Sequence, residues 1–469
     1  SICHSLNLNF KQFFHLNPVT SISFSFSRNV WGVLEKKDCF LHWGSWELKR
    51  GEEEGMEKLS EGTVENILIR LPVDSLVRCR YVCKHWYRLI SDHRFVKLHL
   101  KISKSQKCNK LMLASSEGTC FSVDDIETIT IAKNVGFSTW MENHVLYLNC
   151  PFSSEYIWQE IGIVGSCDGL LLMLVAPQDM VLWNPATRQY KRLPCKCVRM
   201  INCVKGLFPL HGFGYDKSTD DYKVVSHGKI IDDVNCEISV YTLRKDSWSV
   251  VKANFPCLRY GSKYPGILLN GILHWNVVKC LTSSTKSSFV LSFDLKDENF
   301  RELSIPKFEY SLAEWELGVM GESLCIQFYD WLNPIFIHVW VMNDYGRAES
   351  WTKLFCFRHH LDKDISHLKL LQRLKNGNFL LNVNGDTLVV YDVKRQRYIT
   401  VLKYQLSPLF GMGAATYVQS LISLGDENQF KRRRPGVKNN GLEEKAVNKT
   451  ELQVYRRRRP SERVSTSHH

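Results

Sequence analysis

Two groups of cysteine and histidine side chains come close to the spacing of metal ligands, so they are the first residues that could hold a cofactor. They are Cys79, Cys83 and His85, and Cys195, Cys197 and Cys203. A structural zinc site takes four such ligands, which commonly arrive as two closely spaced pairs. Neither group has a second pair at the required spacing. The sequence therefore predicts buried, reduced cysteines at these positions, with no bound metal or other cofactor.

The motifs that organise common catalytic sites do not occur in the sequence. It has no His-Glu-x-x-His helix, no Gly-x-Ser-x-Gly nucleophile turn and no Gly-Lys-Ser/Thr phosphate loop. Two pairs of reactive side chains, Asp232-Asp233 and His359-His360, are interpreted as polar loop residues. We therefore expect a protein that is not an enzyme and that acts by binding other molecules.

The net charge of +13 is concentrated at one end of the chain. Residues 431–469 hold 12 Lys and Arg against 4 Asp and Glu, which accounts for +8 of that charge. The segment has few large apolar residues, so residues 426–469 are expected to form a disordered basic tail. Two interpretations of the tail stay open, a nuclear import signal and a solvated extension. Nucleic-acid binding is disfavoured, because residues 1–430 carry only +5.

Residues 1–55 show no pattern of a folded domain. They are rich in Ser and Phe and have no acidic residue before Glu35, which resembles an organelle transit peptide. The favoured alternative is a disordered or mispredicted extension ahead of a natural start at Met56. The sequence shows no secretory signal and no apolar run long enough to cross a bilayer. With reduced cysteines, we expect a protein of the cytoplasm, the nucleus or both, without a membrane partner.

Residues 59–100 contain the clearest helical pattern in the chain. Apolar side chains at i, i+3, i+4 and i+7, which share one face of a helix, are Val64, Ile67, Leu68 and Leu71. Pro72 breaks this pattern and suits the first turn of a second helix, and a third helix follows. About forty residues cannot bury so many large apolar side chains internally, because so small a unit keeps much of its surface wet. Part of this apolar surface must contact a partner.

This stretch resembles the F-box, a three-helix motif. The matching text is Ile67-Leu68, the six residues from Leu71 to Leu76, the five from Val82 to Trp86, and Leu89-Ile90-Ser91-Asp92 with Phe95. Family members usually open with Leu-Pro, whereas here Leu59 is followed by Ser60. The resemblance implies that residues 56–100 dock on a Skp-type adaptor and, through it, on a cullin. The residues implied in adaptor binding are Leu59, Ile67, Leu68, Leu71, Pro72, Leu76, Val82, Cys83 and Trp86.

From residue 108 the sequence changes to short apolar strands separated by tight turns. Asp168-Gly169 and Asn270-Gly271 place residues that tolerate positive φ where a hairpin needs them. A unit of an aromatic residue, a polar turn and a second strand recurs five times, starting at Trp183, Tyr241, Phe293, Trp340 and Tyr391. The spacings are 58, 52, 47 and 51 residues, close to the repeat of about 50 residues in kelch blades. This pattern predicts a propeller of stacked sheets.

The same region resembles the F-box-associated interaction domain of plant F-box proteins, which include F-box/kelch-repeat and S-locus F-box groups. The residues that carry the resemblance are 166–170, 182–188, 212–216, 221–225, 240–241, 247–248, 271–275 and 350–353. The expected fold class is an α+β multidomain protein with a small three-helix F-box and an all-β kelch-like propeller. The propeller is expected over residues 108–425, after a polar linker at 101–107. Five blades are clear, and the text at 111–160 and 407–425 could add one or two.

These resemblances imply a non-catalytic substrate-recognition subunit of a Skp–cullin–F-box ubiquitin ligase. Its partners would be a Skp-type adaptor, a cullin reached through it, and a target protein that the sequence does not name. Two alternatives stay open, a protein-binding scaffold that works without a ligase and a carbohydrate-binding propeller. The repeated Ser-x-Asp-x-Gly-x-Thr-Trp turns of sialidase-like propellers are missing from the sequence.

Overall fold

The computed structural model describes residues 61–106, 109–114, 119–131, 137–148, 150, 161–175, 179–194, 210–230, 236–253, 260–261, 265–280, 286–306, 314–329, 336–358, 368–385, 387–403 and 413–425. The expectations for residues 1–55, for Leu59 and for the tail 426–469 lie outside these ranges. So do those for Asp232-Asp233, His359-His360 and the group of three cysteines that begins at Cys195.

The described part of the chain opens with a compact group of helices. They are α1 (Glu61–Leu68), α2 (Val73–Cys79), α3 (Lys84–Ser91) and α4 (His93–Ser105). Pro72 lies at the N-cap of α2, so the predicted corner between the first two helices is confirmed. The Asp92 carboxylate caps α4, where its Oδ1 accepts hydrogen bonds from the backbone N–H groups of Arg94 at 2.9 Å and Phe95 at 3.2 Å.

Helix α4 covers most of the segment that the sequence assigns to a polar linker. The helix continues to Ser105 because its inner face stays apolar, with Leu100 buried and Ile102 packed on the same cluster. The polar residues that suggest a linker, among them Lys101 and Lys104, lie on its exposed face. The helical group is therefore joined to the strands by a packed helix.

The strands form six antiparallel sheets. Blade 1 contains β1 (Asn109–Ala114), β2 (Cys120–Val123), β3 (Val145–Leu148) and β25 (Ala414–Val418). Blade 2 contains β4 (Ile161–Cys167), β5 (Leu170–Val175), β6 (Asp179–Asn184) and β7 (Gln189–Arg192). Blade 3 contains β8 (His211–Asp216), β9 (Asp221–Ile230), β10 (Cys236–Thr242) and β11 (Ser247–Ala253).

The remaining three sheets follow the same up-and-down order. Blade 4 contains β12 (Tyr260–Gly261), β13 (Ile267–Leu269), β14 (Ile272–Cys280), β15 (Lys286–Asp294) and β16 (Phe300–Leu303). Blade 5 contains β17 (Glu314–Met320), β18 (Ser323–Tyr329), β19 (Phe336–Met342) and β20 (Trp351–Arg358). Blade 6 contains β21 (Leu368–Arg373), β22 (Phe379–Val383), β23 (Thr387–Asp392) and β24 (Arg397–Lys403). The inner strands contact one another in the cyclic order β25, β4, β8, β13, β17, β21 and back to β25. This cyclic order is that of a six-bladed propeller.

Blade 1 is built from both ends of the propeller sequence. Strand β25 pairs antiparallel with β1, and the register places Asn109 opposite Val418 and Leu113 opposite Ala414. The stretches at 111–160 and 407–425, which could have added one or two blades, therefore supply strands to the same blade, blade 1. Pairing the first and last strands closes the ring with backbone hydrogen bonds.

The repeated unit is a hairpin between the two outer strands of a blade. Its aromatic residues face each other across the ladder, as Trp183 does with Tyr190 and Phe293 does with Phe300. The unit that the sequence places at Trp340 pairs differently from the other four. A bulge places Trp340 opposite Lys353, and Met342 takes the aromatic position opposite Trp351. Five predicted units are confirmed, with the register of this one shifted by two residues.

Candidate protein-interaction site

The corner between α2 and α3 exposes large apolar side chains. Tyr81 is 88% exposed and Val82 is 59% exposed, and Tyr87 on α3 is also exposed. Neighbouring exposed apolar side chains are typical of interaction surfaces, so this corner is a candidate interaction site. Val82 is one of the predicted adaptor-binding residues, whereas Tyr81 and Tyr87 are not. The sequence signal for both was their position next to the predicted residues Val82 and Trp86.

The predicted adaptor-binding residues fall into three classes of exposure. Pro72, Val82 and Cys83 are exposed, and Ile67, Leu71 and Trp86 are half-buried. Leu68 and Leu76 are fully buried and pack in the core beneath the helices. The structure therefore brings Val82, Cys83 and Trp86 together at the α2–α3 corner. It places Leu68 and Leu76 on the opposite, inner side, and their adaptor contact stays a prediction.

Cys83 is exposed, so the prediction of a buried cysteine is wrong at this position, and the residue has a structural role at this corner. It is the N-cap of α3, where its Sγ accepts a hydrogen bond from the backbone N–H of Trp86 at 3.4 Å. Cys79 is half-buried, and burial raises the pKa of its thiol. Within the described ranges, no three His, Cys, Asp or Glu side chains come close enough to hold a metal ion. The described helices are also all too short or too polar to cross a membrane.

The inner face of the helices shares one hydrophobic core with the propeller. Leu68, Leu76 and Phe95 from the helices lie in the same cluster as Leu172 and Leu182 of blade 2. Each of these five side chains is almost completely buried. The helices and the blades also belong to one compact unit that begins at residue 61. The helical group is thus packed on the propeller and does not swing on a tether.

Polar contacts between α4 and the turn that joins β8 to β9 also hold the helices on the propeller. Lys97 Nζ lies 2.9 Å from Asp220 Oδ1 and donates a hydrogen bond to the Tyr215 hydroxyl at 2.9 Å. His93 Nε2 lies 3.1 Å from Asp220 Oδ2. The Tyr215 hydroxyl also donates to Asp220, and this bond and the Lys97 ammonium lower the pKa of Asp220 to about 2. Asp220 is therefore ionised over the whole physiological range.

A second polar contact lies about two turns further along α4, at the turn between β4 and β5. Lys104 forms an ion pair with the buried carboxylate of Asp168. Asp168 also accepts a hydrogen bond from the Tyr222 hydroxyl at 3.1 Å. Burial raises the pKa of Tyr222, so its hydroxyl stays protonated and acts as a donor. Turns of both blade 2 and blade 3 therefore form ion pairs with α4.

The segment after β25 forms the third contact between the helices and the propeller. Asn184 is fully buried, and its Nδ2 donates hydrogen bonds to the carbonyls of Ser420 at 3.1 Å and Ile422 at 2.8 Å. Leu421 and Leu424 belong to the core cluster shared by the helices and blade 2. Residues 419–425 therefore lie between the helical group and the propeller.

The centre of the propeller holds a cavity of about 200 Å³ that is lined by the inner strands of the blades. Its lining mixes aliphatic and polar residues and includes the charged side chains of Glu316 and Lys369. Burial lowers the pKa of the Lys369 ammonium. Phe213 is the aromatic residue among the described lining residues.

Comparisons with known proteins agree with this architecture. A family model described as an F-box domain matches residues 56–98, and one described as an F-box associated beta propeller domain matches residues 119–424. The F-box protein CPR1 of Arabidopsis thaliana is 27% identical over 418 residues, which cover 82% of this chain and 94% of that protein. The F-box/kelch-repeat protein At3g23880 of the same plant is 30% identical over 308 residues, or 62% of this chain and 77% of that protein. The expected succession of an F-box and an all-β propeller is confirmed, and the chain belongs to the F-box proteins that carry an F-box-associated β-propeller domain.

Proposed function

We propose that this chain is the substrate-recognition subunit of a Skp–cullin–F-box ubiquitin ligase, acting in the cytoplasm, the nucleus or both. Its F-box binds a Skp-type adaptor, and its propeller binds a target protein. The observation that carries this proposal is the exposed apolar corner at Tyr81 and Val82, on an F-box whose inner face is buried against the propeller. Exposed apolar side chains do not stabilise the isolated chain, whereas a partner that covers them removes apolar surface from water.

The adaptor contact centres on the α2–α3 corner. Val82 and Tyr81 supply exposed apolar area, and the half-buried Trp86 and Leu71 border it. Large apolar and aromatic side chains of this kind dominate the energetics of protein interfaces. Leu68 and Leu76 support the contact from beneath, because they hold α1 and α2 on the propeller core.

The target protein is proposed to bind the end of the propeller that faces away from the F-box. Helix α4 contacts the β4–β5 and β8–β9 turns, so the F-box covers the end of the blades where those turns lie. In an antiparallel sheet, successive connections leave from opposite ends of the strands. The connections from β5 to β6 and from β9 to β10 therefore leave from the free end.

The mechanism is proximity and requires no bond to be made or broken by this chain. Two binding surfaces on one molecule raise the effective concentration of target lysines near the ubiquitin-carrying enzyme. The shared core also fixes the orientation of the F-box relative to the propeller, so the two domains move as one body. We propose that the chain is a receptor and not an enzyme.

An affinity purification from plant extract tests this proposal. Val82→Asp places a charge in the exposed corner, and Val250→Asp is the matched control because Val250 is 58% exposed on the outer strand of blade 3. We expect the adaptor and cullin to be recovered with the wild-type chain and the control, and to be lost with Val82→Asp. Target proteins should be recovered with all three. If none of the three recovers an adaptor, the chain works as a scaffold without a ligase.

A further inference from the structure

Two buried cysteines of blade 1 lie within bonding reach of each other. Cys120 opens β2, and Cys150 follows β3 two residues after its end. Their Sγ atoms are 2.6 Å apart, about half an ångström more than the length of a disulfide bond. Their exposed fractions are 1% for Cys120 and 3% for Cys150. Both belong to the same hydrophobic cluster, between blades 1 and 2.

The strand register explains why the two sulphurs meet. Strands β2 and β3 are antiparallel, and Cys120 lies opposite Leu148. Residues opposite each other, and those two positions further on, point to the same face of a sheet. Cys150 is therefore a diagonal neighbour of Cys120 on one face. A disulfide between such neighbours needs no large movement of the backbone.

We propose that Cys120 and Cys150 are a modification site, at which an intramolecular disulfide forms when the folded protein meets a small disulfide oxidant such as oxidised glutathione. The first thiolate attacks the glutathione disulfide, and one reduced glutathione leaves. The second thiolate attacks the protein sulphur of this mixed disulfide, and the second glutathione leaves. The two protein thiols are oxidised, and the oxidant is reduced to two glutathione molecules. The two protons that the protein thiols lose pass to the glutathione thiolates or to solvent.

The bond would reinforce the blade that closes the ring. It joins positions 30 residues apart, and the closed segment contains β2, a 3₁₀ helix (Ile126–Ile131), the helix α5 (Phe137–His144) and β3. A cross-link over such a segment lowers the entropy of the unfolded chain and so stabilises the native state. Blade 1 is otherwise held together only by non-covalent pairing of its strands, including β25.

The reaction is expected to be slow at neutral pH and faster in mild alkali. The hydrogen bond with Cys150 and burial raise the pKa of Cys120 well above its usual value, so its reactive thiolate is scarce. Burial also limits access of the oxidant, which must wait for local opening. In a reducing compartment the pair stays as two thiols, so the bond reports an oxidising environment.

Mass spectrometry of the full chain tests the cross-link directly. The protein is incubated with oxidised glutathione, free thiols are alkylated, and the product is digested with trypsin and a glutamate-specific protease without reduction. Cleavage after Glu142 and Glu155 separates Cys150 from Cys167, so the linked peptides are unambiguous. We expect a peptide pair joining Cys120 to Cys150 that disappears on reduction. Mixed disulfides with glutathione alone, or cross-links between other cysteines, would overturn the proposal.

Thermal unfolding provides a second readout with a matched control. The oxidised wild-type chain should melt at least about 4 °C above the reduced one. Cys150→Ala and Cys325→Ala each remove a buried thiol and should each lower the Tm. The difference between oxidised and reduced samples should disappear in Cys150→Ala and remain in Cys325→Ala. A difference that persists in Cys150→Ala would assign the effect to another pair.

Discussion

Lys97 of the last F-box helix lies 2.9 Å from Asp220 in a turn of blade 3, and the two residues join the F-box to the propeller. The Lys97 ammonium also lies 4.1 Å from the centre of the Tyr215 ring. The contact sits at the edge of a hydrophobic core that both domains share. The F-box and the propeller are therefore held in a fixed orientation.

Exchanging the two charges tests this contact. Lys97→Asp and Asp220→Lys should each lower the free energy of unfolding by about 1–2 kcal/mol, and the double exchange should recover about 1 kcal/mol. Urea unfolding measures the three values. The control is the exposed pair Arg347 and Asp344, 3.5 Å apart, whose coupling should be close to zero. Equal coupling in both pairs would mean that the F-box contact is only a surface ion pair.

Replacing Asn184 tests the role of residues 419–425. Asn184→Ala removes two hydrogen bonds to buried carbonyls, and also the two that Asn184 Oδ1 accepts from the backbone N–H groups of Ala186 and Thr187, so it should lower the free energy of unfolding by about 2–3 kcal/mol. It should also speed hydrogen exchange in that segment and in α4. Asn343→Ala is the control, because Asn343 donates to the Ser350 carbonyl at an exposed site. Unchanged exchange in α4 would show that the segment does not hold the F-box.

Alanine substitutions at two glycines in equivalent turns distinguish the stability cost of steric crowding from that of backbone strain. Gly169 and Gly271 have φ of 85° and 83°, so alanine is strained at both. A Cβ at Gly169 would lie 2.5 Å from Ser420 Oγ and 2.7 Å from the Val418 carbonyl, whereas at Gly271 the nearest atom is 3.9 Å away. Gly169→Ala should therefore cost at least about 1 kcal/mol more than Gly271→Ala in thermal unfolding. Equal costs would mean that the closing segment is not packed on this turn.

Asp216 makes the stability of the propeller depend on pH in acid. Burial tends to raise its pKa, but hydrogen bonds from Ser218, Thr219 and Lys223 outweigh this and lower the pKa to about 2. A carboxylate with a lowered pKa stabilises the fold above its unfolded pKa of about 4, and this stabilisation is lost as the pH falls towards 2. Asp216→Asn should therefore be less stable than wild type by about 2 kcal/mol at pH 6. The difference should shrink between pH 4 and pH 2, and a constant difference would contradict the assignment.

Local features of the fold were accessible from the sequence. The helix corner at Pro72, the hairpin at Asp168-Gly169 and the aromatic pair of Trp183 and Tyr190 all depend on residues that are close in sequence. Turn chemistry and hydrophobic periodicity act at that range, so pattern alone predicts them. The shifted unit at Trp340 was the exception, because its turn is longer: residues 343–350 separate Met342 from Trp351, whereas six residues separate Trp183 from Tyr190.

Long-range features were not accessible. Asn109 pairs with Val418, which lies 309 residues later in the sequence, so three strands from the start of the propeller and one from its end could not be recognised as one blade. Leu68 and Leu76 match the adaptor-binding motif, yet they are buried because blade 2 lies against them, which local pattern does not reveal. The C-terminal part of α4 was not predicted for the same reason, because its apolar inner face packs against residues that are distant in the sequence.

The affinity of the purified chain for a Skp-type adaptor, measured by titration calorimetry, tests the central claim most directly. With the adaptor docked on the α2–α3 corner, Val82→Asp should weaken binding at least about 30-fold, which corresponds to about 2 kcal/mol. Val250→Asp, with the same change at a similarly exposed site on blade 3, should bind as the wild type does. Wild-type affinity in Val82→Asp, with the propeller folded, would contradict the account.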